Sequence, residues 1–383
     1  MKKIAFSGTL DPITNGHMWV IGEARALADE VVVFISENPL KAPQFSADNR
    51  KEIVEQSIAE RGWGNVSVIL VKGDYTARAA KRHGIDYLIR GLRNTTDFDY
   101  ENLIQQANVD VLQGATTIFV MPPRDLGSVS STFVRALQGP VGWHWTMRKF
   151  VPRPAYEAWI LDWLRKDWVK LWRYSSAKPE SIVNADRWFD LLVGDTAYGA
   201  SWRKYHNRDH LVHGLSEITV WAANTGAKTE EVEALKKAFW FHDAVYEAPR
   251  KEISNEEASA QLWLEAELDA DGIEETANLI RVTDHLQRQS ISHPLKDVML
   301  GVDLAILGQA EDVCDAYACA VREEYCWMTD EAYRSGRKAI LEHFRDRVNE
   351  GGLYADPYFS GMYNAMALKN IEREIATLRE RSE

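Results

Sequence analysis

The chain has 383 residues, 45% of them hydrophobic and 27% charged, which suits a soluble globular protein of about two domains. Its formal net charge of −12 argues against the basic footprint that nonspecific nucleic-acid binding needs and against a polybasic membrane patch. No apolar run of 18 residues and no leader pattern occurs in it, so neither membrane spanning nor secretion is expected.

The first half alternates strands and helices. "KIAFSG" reads as an apolar strand and "HMWVIGEARALA" as a helix. "EVVVFIS" is a β-branched strand, and "DNRKEIVEQSIAE" an amphipathic helix with Asp48 as its N-cap candidate. "VSVILV" follows as a strand, "YTARAAKRHG" as a short helix ended by Gly84, and "DYLIRG" as a strand. "YENLIQQANVDVLQG" is a helix closed by Gly114, and "TTIFVMP" a fifth strand. This alternation predicts a Rossmann-like α/β domain with a parallel sheet, whose ligands gather at the carboxyl ends of the strands. From about Pro154 onward β-branched runs almost vanish. "AYEAWILDWLRKDWVKLW", "VEALKKAFWFHDAVY" and "DVCDAYACAVREEYCWM" are long helical patterns, so the second half is expected to be all-α, with the division at 168/169. Cys314, Cys319 and Cys326 match no zinc spacing. They are read as helix core thiols in a reducing cytoplasm. Most of the fourteen tryptophans are read as packing core rather than base-stacking platforms.

The stretch "GTLDPITNGH" follows the first strand. Gly8 permits a tight turn and close ligand approach, and Pro12 stiffens it. With Asn15 as N-cap, Gly16 and His17 fall in the first helical turn, where free N–H groups and the helix dipole favour phosphate. Arg90 and Arg93 of "RGLR" can clamp polyphosphate, and Ser130, Ser131 and Thr132 open another helix. Lys41 stands at a further strand end. Each has an ordinary reading as well: a turn, solvated charges or plain capping.

"GTLDPITNGH", "RGLRNTTDFDYE" and "VSSTFVR", in this order, resemble the phosphopantetheine adenylyltransferase family, whose T/HxGH signature is here Thr14-Asn15-Gly16-His17. The resemblance implies transfer of AMP from ATP to 4′-phosphopantetheine, giving dephospho-coenzyme A and pyrophosphate, with Mg2+ on the triphosphate. It implies catalytic roles for His17, Lys41 and Arg90. Thr9, Lys41, Thr76 and Arg90 would contact the acceptor. Thr9, Leu10, His17, Gly91, Leu92, Arg93, Glu101, Leu126, Ser130, Ser131 and Thr132 would bind ATP. It also implies a homo-oligomer, since the family forms hexamers. Tyr75 and Thr76 replace a usual apolar pair, and Leu10 a usual phenylalanine. A bulkier, more polar acceptor pocket follows, and another phosphate ester stays open as acceptor.

In the second half "YHNRDHLVHG" places His206 and His210 four apart, on one helical face. "WFHDAVY" puts His242 and Asp243 in an apolar helix, and "GVDLAILG" adds Asp303. Burying such groups is costly unless they pair or bind metal, and the set suits a mixed N/O divalent site. The order H…HD…D resembles the HD-domain metal-dependent phosphohydrolases, and YHNxxH also resembles cyclic-nucleotide phosphodiesterases. The resemblance implies one ion (Mn, Mg, Co, Ni or Fe) on His210, His242, Asp243 and Asp303, with His206 as general acid toward a small phosphorylated metabolite. Such an ion lowers the pKa of water toward about 7. His213, Glu256 and His285 are further candidates. A catalytically silent, metal-stabilised regulatory or assembly module is the other reading of this half.

Overall fold

The computed structural model of the chain describes residues 1–37, 42–106, 115–175, 179–247, 252–269, 272–285, 291–350 and 353–380. Contacts divide it into two compact units, Met1–Trp159 and Ile160–Glu383.

The first unit is built on strands β1 (Lys3–Gly8), β2 (Glu30–Ser36), β3 (Val66–Val71), β4 (Tyr87–Gly91) and β5 (Thr116–Val120). All pairings are parallel and the order is β3-β2-β1-β4-β5. Central β1 and β2 are buried along most of their length, so the sequence reads as apolar runs without alternation. The connecting helices are α1 (Asn15–Leu27), α2 (Ala47–Glu60), α3 (Thr76–Arg82) and α4 (Thr95–Gln106). Two short helices follow, α5 (Ser131–Ala136) and α6 (Trp143–Arg148). The strand order reverses between β1 and β4, where Phe6 lies beside Ile89. Crevices at such reversals are where ligands of open α/β sheets bind.

Three local readings change. The N-cap of α1 is Thr14 rather than Asn15, and that of α2 is Ser46, with Asp48 inside the first turn. The strained backbone after β1 belongs to Leu10, at φ 50°, not to Gly8. Helix α4 is described to Gln106, so its expected close at Gly114 lies outside the described residues.

Helix α7 (Arg153–Ser175) carries the chain across the division at 159/160, and the expected boundary at 168/169 falls within the same helix. The described residues of the second unit contain helices and no strand. They are α8 (Pro179–Val193), α9 (Arg208–Thr225), α10 (Thr229–Phe241), α11 (Asn255–Ala266), α12 (Ile273–Arg281) and α13 (Lys296–Asp303). After a 3-10 turn (Leu304–Gly308) come α14 (Glu311–Glu324), α15 (Asp330–Asn349) and α16 (Pro357–Glu380). Trp168, Trp240 and Trp263 are fully buried, and Trp168 meets Trp240 edge-on at 4.8 Å between ring centroids. These tryptophans are packing core, as expected. Of the cysteines only Cys314 is buried, its thiol pushed up to about 12 by that burial; Cys319 and Cys326 are exposed. No described helix is long and apolar enough to cross a membrane.

Candidate functional sites

In the first unit a cavity of about 460 Å³ opens at the sheet reversal. It brings together Thr9, Leu10, His17, Arg90, Gly91, Arg93, Glu101, Leu126, Ser130, Ser131 and Thr132. Leu92 is buried instead, its N–H donating to the Val120 carbonyl, and it does not line the cavity. Thr76 stands behind the lining, its hydroxyl 3.2 Å from that of Ser7. Tyr75 is 61% exposed and is not among the residues lining this cavity. Lys41 lies outside the described residues.

The geometry around His17 follows from its cap. The Thr14 hydroxyl accepts from the His17 N–H at 3.3 Å, and the Thr14 N–H donates to His17 Nδ1 at 3.1 Å. With Nδ1 accepting, the neutral ring carries its proton on Nε2, free to donate into the cavity. Burial, then the charges of Arg93 and Arg90, lower its pKa to about 4, so the ring is neutral at physiological pH. Gly16 lets the Leu126–Val129 segment close over the helix start, since a Cβ there would stand 3.3 Å from the Val129 carbonyl oxygen. Gly91 is required by packing, because a Cβ would come within 2.9 Å of Val20.

The cavity's cations are held by internal carboxylates. Arg90 pairs with Glu101 at 3.3 Å, and Arg93 with Asp97 at 2.8 Å. The Ser130 hydroxyl is engaged as the cap of α5, and Ser131 donates to the Pro12 carbonyl. Sequence reasoning missed three residues here. Asp97 orients Arg93. Arg135 lines the cavity and pairs with Asp11 at 3.8 Å. Buried Asp11 accepts from the N–H groups of Gln44 and Phe45, tying that segment down beside the opening. An acid next to Pro12 in a turn was the only signal available for it.

In the second unit four groups converge. His210 Nε2 lies 3.0 Å from His242 Nε2. Asp243 Oδ2 lies 3.5 and 3.1 Å from those two nitrogens, and Asp303 Oδ1 3.6 and 3.4 Å. Ligands about 2.1 Å from one ion stand about 3.0–3.4 Å apart in octahedral or tetrahedral geometry, so His210, His242 and Asp303, whose ligand atoms all lie within 4.8 Å of one another, have a spacing suited to a single divalent cation, with Asp243 beside the two imidazoles. His242 Nδ1 donates to the Phe239 carbonyl at 2.8 Å, which turns Nε2 inward toward His210 and the carboxylates. His285 Nε2 donates to the other Asp303 oxygen at 2.9 Å and orients that carboxylate. Burial lowers the pKa of His210. At His242 burial also pulls downward, but Asp243 and Asp303 outweigh it and hold that pKa well above the ordinary value. Both carboxylates sit well below their usual range despite burial, chiefly through His242. Among the protein groups, the positive charge facing these carboxylates is the protonated His242 ring.

The local structure differs from the sequence reading. His206 precedes the Asn207 cap and stands outside α9, so it does not share a helical face with His210. His242 caps the end of α10, and Asp243 lies beyond it, rather than inside the helix. This release from the helix lets both side chains turn toward His210. Buried Arg203 fastens the arrangement, donating to the Asp243 and Ala244 carbonyls at 2.7 and 2.9 Å and to the His206 carbonyl at 3.3 Å. His213 turns away from the cluster to Glu217, 3.3 Å distant.

His206 stacks on Tyr246 at 4.0 Å and donates from Nδ1 to Glu324 at 2.6 Å. Burial opposes its charge, but Glu324 and Asp243 raise its pKa above the ordinary value. Glu324, on α14, also accepts from the N–H groups of Tyr205 and His206. Sequence reasoning missed it, because a glutamate inside a charged helical run carries no distinguishing mark. Above these groups lies a cavity of about 370 Å³ lined by His206, Asp243, Asp303, Glu256 and His285, with tyrosines and aliphatic side chains beyond.

The parallel five-stranded sheet with a cavity at its reversal fits a nucleotidyltransferase, and the cytidylyltransferase-like family matches residues 5–137. Phosphopantetheine adenylyltransferase of Chromobacterium violaceum is 36% identical over 156 residues, 41% of this chain and 94% of that protein. The enzymes of the same name from Haemophilus influenzae and Neisseria meningitidis are 36% and 31% identical, over 97% and 91% of their own lengths. Through this N-terminal part the chain belongs to the phosphopantetheine adenylyltransferase family.

Proposed function

We propose that the chain is bifunctional: its first unit transfers AMP from ATP to 4′-phosphopantetheine, and its second is a metal-dependent HD phosphohydrolase. The first activity is supported by the relatives and by the neutral His17 set among Arg90, Arg93 and Arg135 at the sheet reversal. The acceptor phosphate would attack the α-phosphorus in line, and positioning and charge stabilisation would suffice without a protein nucleophile. His17 Nε2–H and the arginines are suited to receive charge as it moves toward the leaving pyrophosphate. Thr9 and Arg90, with Lys41, would hold the acceptor, and Mg2+ would accompany ATP.

The observation that supports the second activity is the convergence of His210, His242 and Asp303, with Asp243 Oδ2 3.5 and 3.1 Å from the two imidazole nitrogens. Mn, Mg, Co, Ni or Fe there would activate water for attack on a phosphate ester. His206, held by Glu324, is suited to protonate the leaving oxygen. Incubation of the full chain with ATP, Mg2+ and 4′-phosphopantetheine should yield dephospho-coenzyme A and pyrophosphate. Pyrophosphate release only with another phosphate ester would reassign the acceptor. Elemental analysis should find one tightly held divalent ion, and phosphate esters should be cleaved with at least one metal. No ion and no cleavage would leave the regulatory-module reading.

A further inference from the structure

Behind the first cavity lies a side chain that local physics disfavours. Arg50 is only 2% exposed, although it is a cation in the first turn of α2, where the positive end of the helix dipole opposes it. An arginine is almost never buried so fully unless its donors are used. Here they bind three separate pieces of the unit. Nε donates to the Phe45 carbonyl at 3.2 Å, and Nη1 donates to the Ser36 carbonyl at 3.3 Å and to the Thr9 carbonyl. One guanidinium thus ties the turn after β1 and the end of β2 to the residue that leads into α2. Arg50 does not line the cavity, whereas Thr9, Leu10 and Asp11 do.

The turn it holds carries a second, independent mark. Leu10 stands at φ 50°, in the left-handed region that is costly for a residue with a side chain. Such a conformation persists only where the surroundings over-determine it. The backbone is pinned on either side, the Thr9 carbonyl by Arg50 and the Asp11 carbonyl by Arg135. The Asp11 carboxylate accepts from the N–H groups of Gln44 and Phe45, at 2.8 and 3.1 Å. Phe45 is therefore held twice, through its N–H by Asp11 and through its carbonyl by Arg50, which closes a ring of bonds around Leu10. Because Leu10 stands between Thr9 and the segment leading to His17, any relaxation of its backbone would shift Thr9 relative to that histidine.

We infer that Arg50 is a positioning residue for the adenylyl transfer of the first unit: without lining the cavity, it holds the Thr9–Asp11 turn in its strained shape and so keeps Thr9, and the acceptor that Thr9 would bind, aligned with the nucleotide. The inference rests on the adenylyltransferase reading of this cavity. In-line attack tolerates little displacement, and a misplacement of about 1 Å costs about 10²-fold in rate.

The test compares the full chain with Arg50→Gln. Glutamine places its Nε2 where arginine has Nε, so the bond to Phe45 survives while those to Thr9 and Ser36 are lost. Calorimetric titration with ATP counts the competent sites. Pyrophosphate release at saturating ATP, Mg2+ and 4′-phosphopantetheine then gives kcat per site. This value should fall about 10- to 100-fold, with a far smaller change in ATP affinity, because Arg90 and Arg93 are held independently of this turn by Glu101 and Asp97. A merely structural Arg50 would lower the number of ATP-binding sites and the melting temperature while leaving kcat per site at the parent value. Should Arg50→Gln not fold, Arg50→Lys, which keeps the charge but ends one bond short of Nη1, should show the same split to a lesser degree. The inference is overturned if a folded variant keeps the parent kcat per site, or if ATP affinity falls as much as kcat. If the parent uses another phosphate ester as acceptor, the same ratio is read with that ester. A parent that releases no pyrophosphate with any acceptor sinks the adenylyltransferase reading and this inference with it, whereas an active parent with an unaffected variant sinks the inference alone.

Discussion

Replacing His17 by alanine isolates the chemistry of the first cavity. In the folded chain Nδ1 is occupied by the Thr14 N–H, so in the proposed reaction the ring would act through Nε2–H. Removing one donor aimed at developing charge lowers kcat by about 10²–10³, roughly 2.7–4 kcal/mol. The structural cost is smaller. One backbone hydrogen bond is lost, about 1 kcal/mol, while Thr14 still caps the helix through its hydroxyl. Pyrophosphate release from ATP and 4′-phosphopantetheine should therefore fall in kcat, with KM for ATP nearly unchanged and a melting temperature within a few degrees of the parent. The pKa near 4 adds a second reading. Between pH 5 and 8 the wild-type kcat should show no limb from this group, because its charge changes only below that range. The sign for stability agrees. A histidine depressed below its ordinary 6.5 lends its full stability above that pH and loses it as pH falls toward 4. A defect confined to KM, or a kcat limb near 6.5 that vanishes in the variant, would refute the assignment.

The second unit offers three further tests. Asp243→Ala should abolish both bound metal and hydrolysis, whereas His206→Ala should keep the ion and slow turnover; loss of metal in both would make His206 a ligand. Glu324→Gln should move the alkaline limb of hydrolysis to lower pH, since Glu324 helps hold the His206 proton and the acid form is lost as pH rises through the raised pKa; an unmoved limb would remove Glu324 from that role. Gly214→Ala should destabilise the second unit by about 1–3 kcal/mol and weaken metal binding, because the new methyl would stand 2.0 Å from the ring of Phe239, which stacks on His242 at 4.3 Å. Calorimetric melting and metal titration read both effects, and an unchanged melting point would contradict this packing.

What the sequence alone determined is whatever short-range pattern encodes. Apolar runs marked β1 and β2 because both faces of a central parallel strand are buried, and helical spacing separated the second unit from the first. The Thr14–His17 motif and "RGLR" were legible because turn chemistry and charge at strand ends are local properties. Partnership across the chain was not. Glu324 lies 118 residues from His206, and His285 is 18 residues from Asp303. No periodicity marks which of many acidic helical positions will turn inward. The tertiary structure also decided where helices stop. His206 and the His242–Asp243 pair read as helical by spacing, yet they stand just outside α9 and α10. There the backbone is free to follow Arg203, Tyr198 and Glu324, whose hydrogen bonds outweigh weak helix propensity. Likewise Thr14 took the cap from Asn15, because its hydroxyl and the His17 ring satisfy each other's backbone groups and the Asn15 amide reaches the Lys149 carbonyl instead. Local propensity proposes such ends, and long-range hydrogen bonding selects among them.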